Sequence, residues 1–118
     1  MIKMPHYISV VLDDERYEKI KGTPVEEKIT YLFGGQLRSL VVEVPEDRSE
    51  KILKAFDKAR IDSRGYIEDV PVAFRRALFE EIAKAKSLDV IDKVLERLDE
   101  LVEAGKKEDE YIPPPEVE

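Results

Sequence analysis

Two runs of β-branched and aliphatic residues limit what this chain can fold into. One is YISVVL at residues 7–12 and the other is LRSLVVEV at Leu37–Val44. Such side chains pack well on a pleated surface, so each run predicts a strand. The stretches between and after them place apolar residues three and four positions apart, which is helical spacing. Two strands held apart by helices allow a parallel pair with a right-handed crossover, or an antiparallel pair between two chains. The fold class expected is α/β or α+β, with a small two- to three-stranded sheet and about five helices, ending in an antiparallel helical hairpin. At 118 residues the chain holds one core, burying roughly two-thirds of its unfolded surface.

Asp13 is placed to cap a helix over 14–21 that turns Tyr17 and Ile20 inward, and Gly22 ends it. Thr23-Pro24-Val25-Glu26 has the form of a capping box: Thr caps, Pro takes the first helical position, and Glu reaches back to the Thr amide. The helix it opens aligns Val25, Ile29, Leu32 and Phe33 on one face, and Gly34-Gly35 closes it. A hairpin with ITYLF as one strand and Gly34-Gly35 as the turn is the rival reading, and the capping box favours the helix. After Pro45, Asp47 and Glu50 form a second capping pair for a helix over 48–61 that buries Ile52, Leu53, Phe56 and Ala59. Asp62-Ser63-Arg64-Gly65 turns the chain into a strand no longer than 66–68. Pro71 opens a helix to about residue 86, with Phe74, Ala77, Leu78, Ile82 and Ala85 on one face. Ser87 caps the last helix. Its Leu88, Ile91, Val94, Leu95, Leu98, Leu101 and Val102 form a wide apolar stripe, and Gly105 stops it.

The domain plan expected is one globular unit over 1–105, made of a sheet-containing part at 7–69 and the hairpin at 71–105. A flexible, charged, Pro-rich tail follows at 106–118 and contains Tyr111-Ile112-Pro113-Pro114-Pro115. No run approaches the 18 or so apolar residues of a membrane span, and the start lacks a signal-peptide pattern, so no membrane contact and a cytoplasmic location are expected.

Charged residues make up 40% of the chain, against about 25% in an ordinary domain. Both signs are plentiful, with 20 Lys plus Arg and 27 Asp plus Glu, while Asn and Cys are absent and Gln36 is the single Gln. This pattern avoids thermolabile residues and favours ion-pair networks, so it predicts a hyperthermophilic, archaeal source. It also removes disulfides and thiolate metal sites.

Little residue chemistry is left for catalysis. His6 is the single His, and neither a second His nor any Cys completes a zinc site or a triad. No catalytic residue, metal site or cofactor is therefore assigned, and His6 is expected to be exposed and idle. Glu68-Asp69, in an irregular segment near Arg64, is the acidic pair most worth watching. Gly34-Gly35 follows its predicted helix instead of preceding it, which argues against a phosphate loop. The overall net charge of -7 is uneven. Residues 48–76 hold eight bases and five acids, a local +3. Lys51, Lys54 and Lys58 share a predicted helix face there, with Arg60 and Arg64 beyond it, and together they form a candidate nucleic-acid surface.

The segment HYISVVLDDERYEKIKGTPVEEKITYLF, residues 6–33, resembles ribbon-helix-helix repressors in its order of strand, acidic cap, helix, turn and capped helix. The resemblance implies a dimer whose strands pair between chains and enter the DNA major groove. It covers this third of the chain alone, and the first helix is about two turns too short before Gly22. Neither face of the strand offers Arg, Lys, Asn or Gln for reading base edges: one is Tyr7, Ser9 and Val11, the other Ile8, Val10 and Leu12.

The function expected first is a non-enzymatic, small cytoplasmic interaction or regulatory subunit, as a homodimer or bound to a protein partner. Its contacts would be Leu88, Ile91, Leu95, Leu98 and Val102 of the hairpin, with Tyr111, Ile112 and Pro113 of the tail. The alternative is a nucleic-acid-binding regulator using the basic helix face or the N-terminal ribbon. A small-molecule or metal-dependent enzyme comes third.

Overall fold

The computed structural model describes residues 5–110 and is of mixed α+β type. Along the chain run β1 (His6–Leu12), α1 (Asp14–Ile20), a 3-10 helix (Pro24–Lys28), β2 (Thr30–Leu32), β3 (Leu37–Val44) and α2 (Glu46–Ala55). Then come β4 (Arg60–Ile61), β5 (Ile67–Glu68), α3 (Val72–Ala85), α4 (Ile91–Leu95) and α5 (Leu98–Glu110). The main sheet has the order β1-β3-β2, and β4 and β5 form a separate two-stranded sheet. All of these strand pairs are antiparallel. The two long strands therefore pair inside one chain, neither in parallel nor between chains, because β2 turns the chain back along β3.

The alternation of β1 and β3 builds the core. Ile8 and Val10 on β1 oppose Val42 and Leu40 on β3, and all four are at most 1% exposed. Onto this face α2 lays Ile52, and α3 lays Phe74, Leu78 and Ile82. The Phe56 ring meets Phe74 edge-on, 5.6 Å between centroids. Each such aliphatic or aromatic side chain contributes about 1.5–3 kcal/mol by leaving water. His6 belongs to the same framework. Its Nδ1 lies 2.6 Å from the Oγ of Ser49, which is fully buried. The Ser49 hydroxyl donates to the Glu46 carbonyl at 2.8 Å, so it accepts from His6. The histidine ties β1 to α2 and is not idle.

Several local expectations give way to longer-range contacts. The predicted helix over 24–33 is a five-residue 3-10 helix followed by β2. Thr23 makes no side-chain cap; its hydroxyl donates back to the Ile20 carbonyl at 2.6 Å. Glu26 does reach back, but to the Gly22 amide at 3.1 Å. The helix predicted over 48–61 starts at Glu46 and ends at Ala55. Asp47 lies inside its first turn, and Ile61 is drawn out to pair with the buried Ile67.

The last predicted helix is broken at Glu96-Arg97 into α4 and α5. The Arg97 amide bonds the carbonyl three residues back, on Val94, and its guanidinium reaches Glu80 and Glu81 on α3 and Glu100 on α5. Ser87 bonds the Asp89 amide ahead of α4 and does not cap it, and Ala85 is exposed. Finally, α5 runs through Gly105 to Glu110. Gly105 is there for close approach, since a Cβ would lie 2.8 Å from Cγ of Pro71. Residues 106–110 thus belong to the helix and not to a tail.

The helical pair at the C-terminal end is antiparallel. The end of α5 meets the start of α3, where the Glu108 carboxylate accepts the Val72 and Ala73 amides at 2.9 and 3.3 Å. Arg97 at the start of α5 meets the far half of α3. Among the described residues no helix is long and apolar enough to cross a membrane.

Candidate interaction surface

Most residues singled out in the sequence are already engaged inside the molecule. Ile91 is buried, and Leu88, Leu95, Leu98 and Val102 are half-buried against the core. The break at Glu96-Arg97 lets α4 and α5 each turn their apolar side toward the core, so the stripe is largely absorbed by its own chain. Tyr111, Ile112 and Pro113 lie outside the described residues.

The basic cluster is divided as well. Lys51 and Lys54 are exposed on α2, whereas Lys58 falls beyond its end. Arg60 bonds Asp69 at 2.9 Å. Arg64 pairs with Asp62 at 3.4 Å and lies over the Tyr66 ring, 4.8 Å from its centroid. Glu68 faces Arg75 at 4.0 Å, so Glu68, Asp69 and Arg64 each have a different partner and do not converge.

The ribbon arrangement is not present. One side of β1 is paired with β3 of the same chain. On the other side the Tyr7 amide donates to the Gly65 carbonyl at 2.9 Å, and Arg75 and Arg16 donate to the carbonyls of Ser9 and Val11. The resemblance to ribbon-helix-helix repressors ends with the first elements.

A different surface emerges from the sheet register. Residues directly opposite each other share a face. The helices cover the face of Ile8, Val10, Leu40 and Val42. The other face carries Tyr7, Ser9 and Val11 from β1, Leu37, Ser39, Val41 and Glu43 from β3, and Thr30 and Leu32 from β2. Apart from the small Ser39 these are half-exposed or exposed. Of these nine positions only Glu43 is charged, in a chain that is 40% charged overall.

At one end of this face stands the turn between β2 and β3. Phe33, Gly34 and Gly35 are all left-handed, with φ of 52, 67 and 89°. The turn lifts the Phe33 ring into solvent at 78% exposure, beside Tyr31 at 54% and Leu32 at 43%. Holding a phenylalanine in this region costs of the order of 1 kcal/mol, and the exposed ring recovers little of that by packing. The cue was present in the sequence: residues 29–42 hold one charge, Arg38. The same apolar residues also fit a helical face, so the spacing alone does not distinguish strand from helix here.

The base of the β2–β3 hairpin is braced from α1. Tyr17 donates to Glu26 Oε2 at 2.6 Å. That bond holds the Glu26 carboxyl below the usual glutamate range, with help from the Gly22 amide, and raises the Tyr17 hydroxyl above the usual tyrosine value. Arg38 lies 4.3 Å from the centroid of the Tyr17 ring and pairs with Asp14 at 3.2 Å.

A separate groove of about 740 Å³ lies where the end of α2, residues 69–72 and α5 meet. Its lining includes Phe56, Val72 and Val102 together with Asp57, Lys58, Asp69, Lys106 and Glu108. Among the described residues no group of three or more His, Asp or Glu is set to hold a metal ion.

Fold and surface together define an α+β domain with one sheet face packed under helices and one that carries a single charge, Glu43, and is left uncovered by the described helices. Residues 6–95 match a family of unknown function (DUF6955), and the chain belongs to that family. No curated protein and no solved structure matches it. The matched segment runs from β1 through α4 and includes the whole open face, while α5 lies beyond it.

Proposed function

We propose that this chain is a small cytoplasmic interaction or regulatory subunit that works by protein contact and not by catalysis. Its contact surface is the outer face of the sheet and the Tyr31–Phe33 tip. The observation that carries this reading is the single charge among nine outward positions, next to a phenylalanine 78% exposed. Charge is depleted at the centre of protein interfaces, where aromatic side chains act as anchors. The hairpin stripe of Leu88, Ile91, Leu95, Leu98 and Val102 supports the surface from within, by fixing α3, α4 and α5 to the core. A nucleic-acid role would rest on Lys51 and Lys54, because Arg60 and Arg64 are held by acids.

Photo-crosslinking groups placed at Val11 and Phe33, with controls at Glu18 and Lys51, test the reading in extract of the native source. Defined crosslinked products from 11 and 33, absent from both controls, are expected. Equal yields at all four positions would contradict it.

A further inference from the structure

The two edges of the main sheet are finished differently. On β1 the outward carbonyls of Ser9 and Val11 are taken by Arg75 and Arg16, and the Tyr7 amide by Gly65. An edge filled in this way does not receive another strand. On β2 the three residues Thr30, Tyr31 and Leu32 are all exposed, and none is charged or a proline. Among the described residues none reaches across the outer edge of β2.

We propose that a second copy of this chain occupies the β2 edge. The two β2 strands pair antiparallel about a two-fold axis at Tyr31, joining two three-stranded sheets into one of six. This deepens the contact reading above and rests on it. The register is self-complementary, as a two-fold contact requires. With Tyr31 opposite its own copy, Thr30 faces Leu32, and the flanking Ile29 and Phe33 are uncharged, so no charge meets a like charge within the strand. The nearest charged residue, Lys28, ends the 3-10 helix and lies outside the strand. Two copies of a chain with net charge -7 repel at a distance, and this uncharged edge is where they can approach closely.

The area is consistent with a weak, reversible dimer. With aromatic side chains of about 200 Å², Tyr31, Leu32 and Phe33 expose roughly 350 Å². Over two copies these side chains offer at most about 700 Å², to which the strand backbone adds, the size of a weak, transient contact.

The test is the solution mass of the full chain by sedimentation equilibrium, from about 1 µM to about 1 mM. The mass is expected to rise from one chain to two. Tyr31→Lys and Leu32→Lys, each checked for an unchanged circular dichroism spectrum, should keep it at one. Val72→Lys, an equally exposed valine at the start of α3 and away from the sheet, should leave the rise unchanged. A single-chain mass at every concentration overturns the dimer, and so does a Val72→Lys variant as monomeric as Tyr31→Lys. A single-chain mass with capture of a different protein from position 33 overturns the second copy and leaves the contact reading intact. A single-chain mass without such capture overturns both.

Discussion

Phe33 is held in a backbone region that favours glycine, and its ring makes little contact within its own chain. Replacing it therefore separates stability from contact. Phe33→Gly is expected to stabilise the isolated chain by up to about 1 kcal/mol, read from the denaturant midpoint under dilute, monomeric conditions, while crosslinking and self-association are lost. Three carboxylates held below their ordinary range, Glu26, Asp47 and Asp62, contribute to the acid limit of the fold. Asp62 is held below the ordinary aspartate range, first by the Tyr66 amide and then by the Arg64 amide, and Glu26 is held down by Tyr17. A depressed carboxyl stabilises the native state fully above its unfolded value, near pH 4. That share is lost as pH falls through the folded value. Tyr17 has the opposite sign: its share is complete below about pH 10 and is lost as pH rises past it. A denaturant-midpoint profile against pH should fall below about pH 4, and the fall should be shallower in Glu26→Gln.

Among the elements, β1 and β3 were readable because every second residue faces a packed core, and their bounds depend on little else. The segment 24–33 was not. Its capping residues are local, whereas the pairing of Thr30–Leu32 with β3 is decided by residues further along the chain. Pro24 and Glu26 do start a helix, but the strand partner ends it within five residues. Gly105 misled in a related way. Glycine usually marks a helix end, yet here it permits α5 to pass close to Pro71 at the start of α3. Gly105→Ala should thus lower stability by about 1–2 kcal/mol in thermal or denaturant melts, although alanine is the better helix former. An unchanged or higher stability would mean that α5 and α3 stand further apart.

Among the described residues, charge is arranged to leave one sheet face with Glu43 alone. Arg97 joins Glu80, Glu81 and Glu100, and Arg48 joins Asp47 and Asp92, tying separate elements together at the surface. Such networks gain importance with temperature. Calorimetry should place the unfolding midpoint above about 90 °C, and a value below about 65 °C would contradict the hot source read from the composition. The candidate surface was half legible in the sequence. The run at 29–42, with Arg38 as its single charge, could be seen there, but its meaning depended on which sheet face the helices covered. That follows from the pairing register and from no local pattern. The hairpin stripe looked available because a single helix cannot bury so wide a face, and the break at Glu96-Arg97 removed that limit.

Amide hydrogen exchange at Thr30–Leu32, in the full chain at rising concentration, tests the central claim that the β2 end of the sheet is the working surface. Any outward amides there should exchange rapidly in dilute protein and slow together as the chain is concentrated, while β1 amides facing β3 stay protected throughout. Rapid exchange of those outward amides at every concentration, with β1 equally protected, would contradict it.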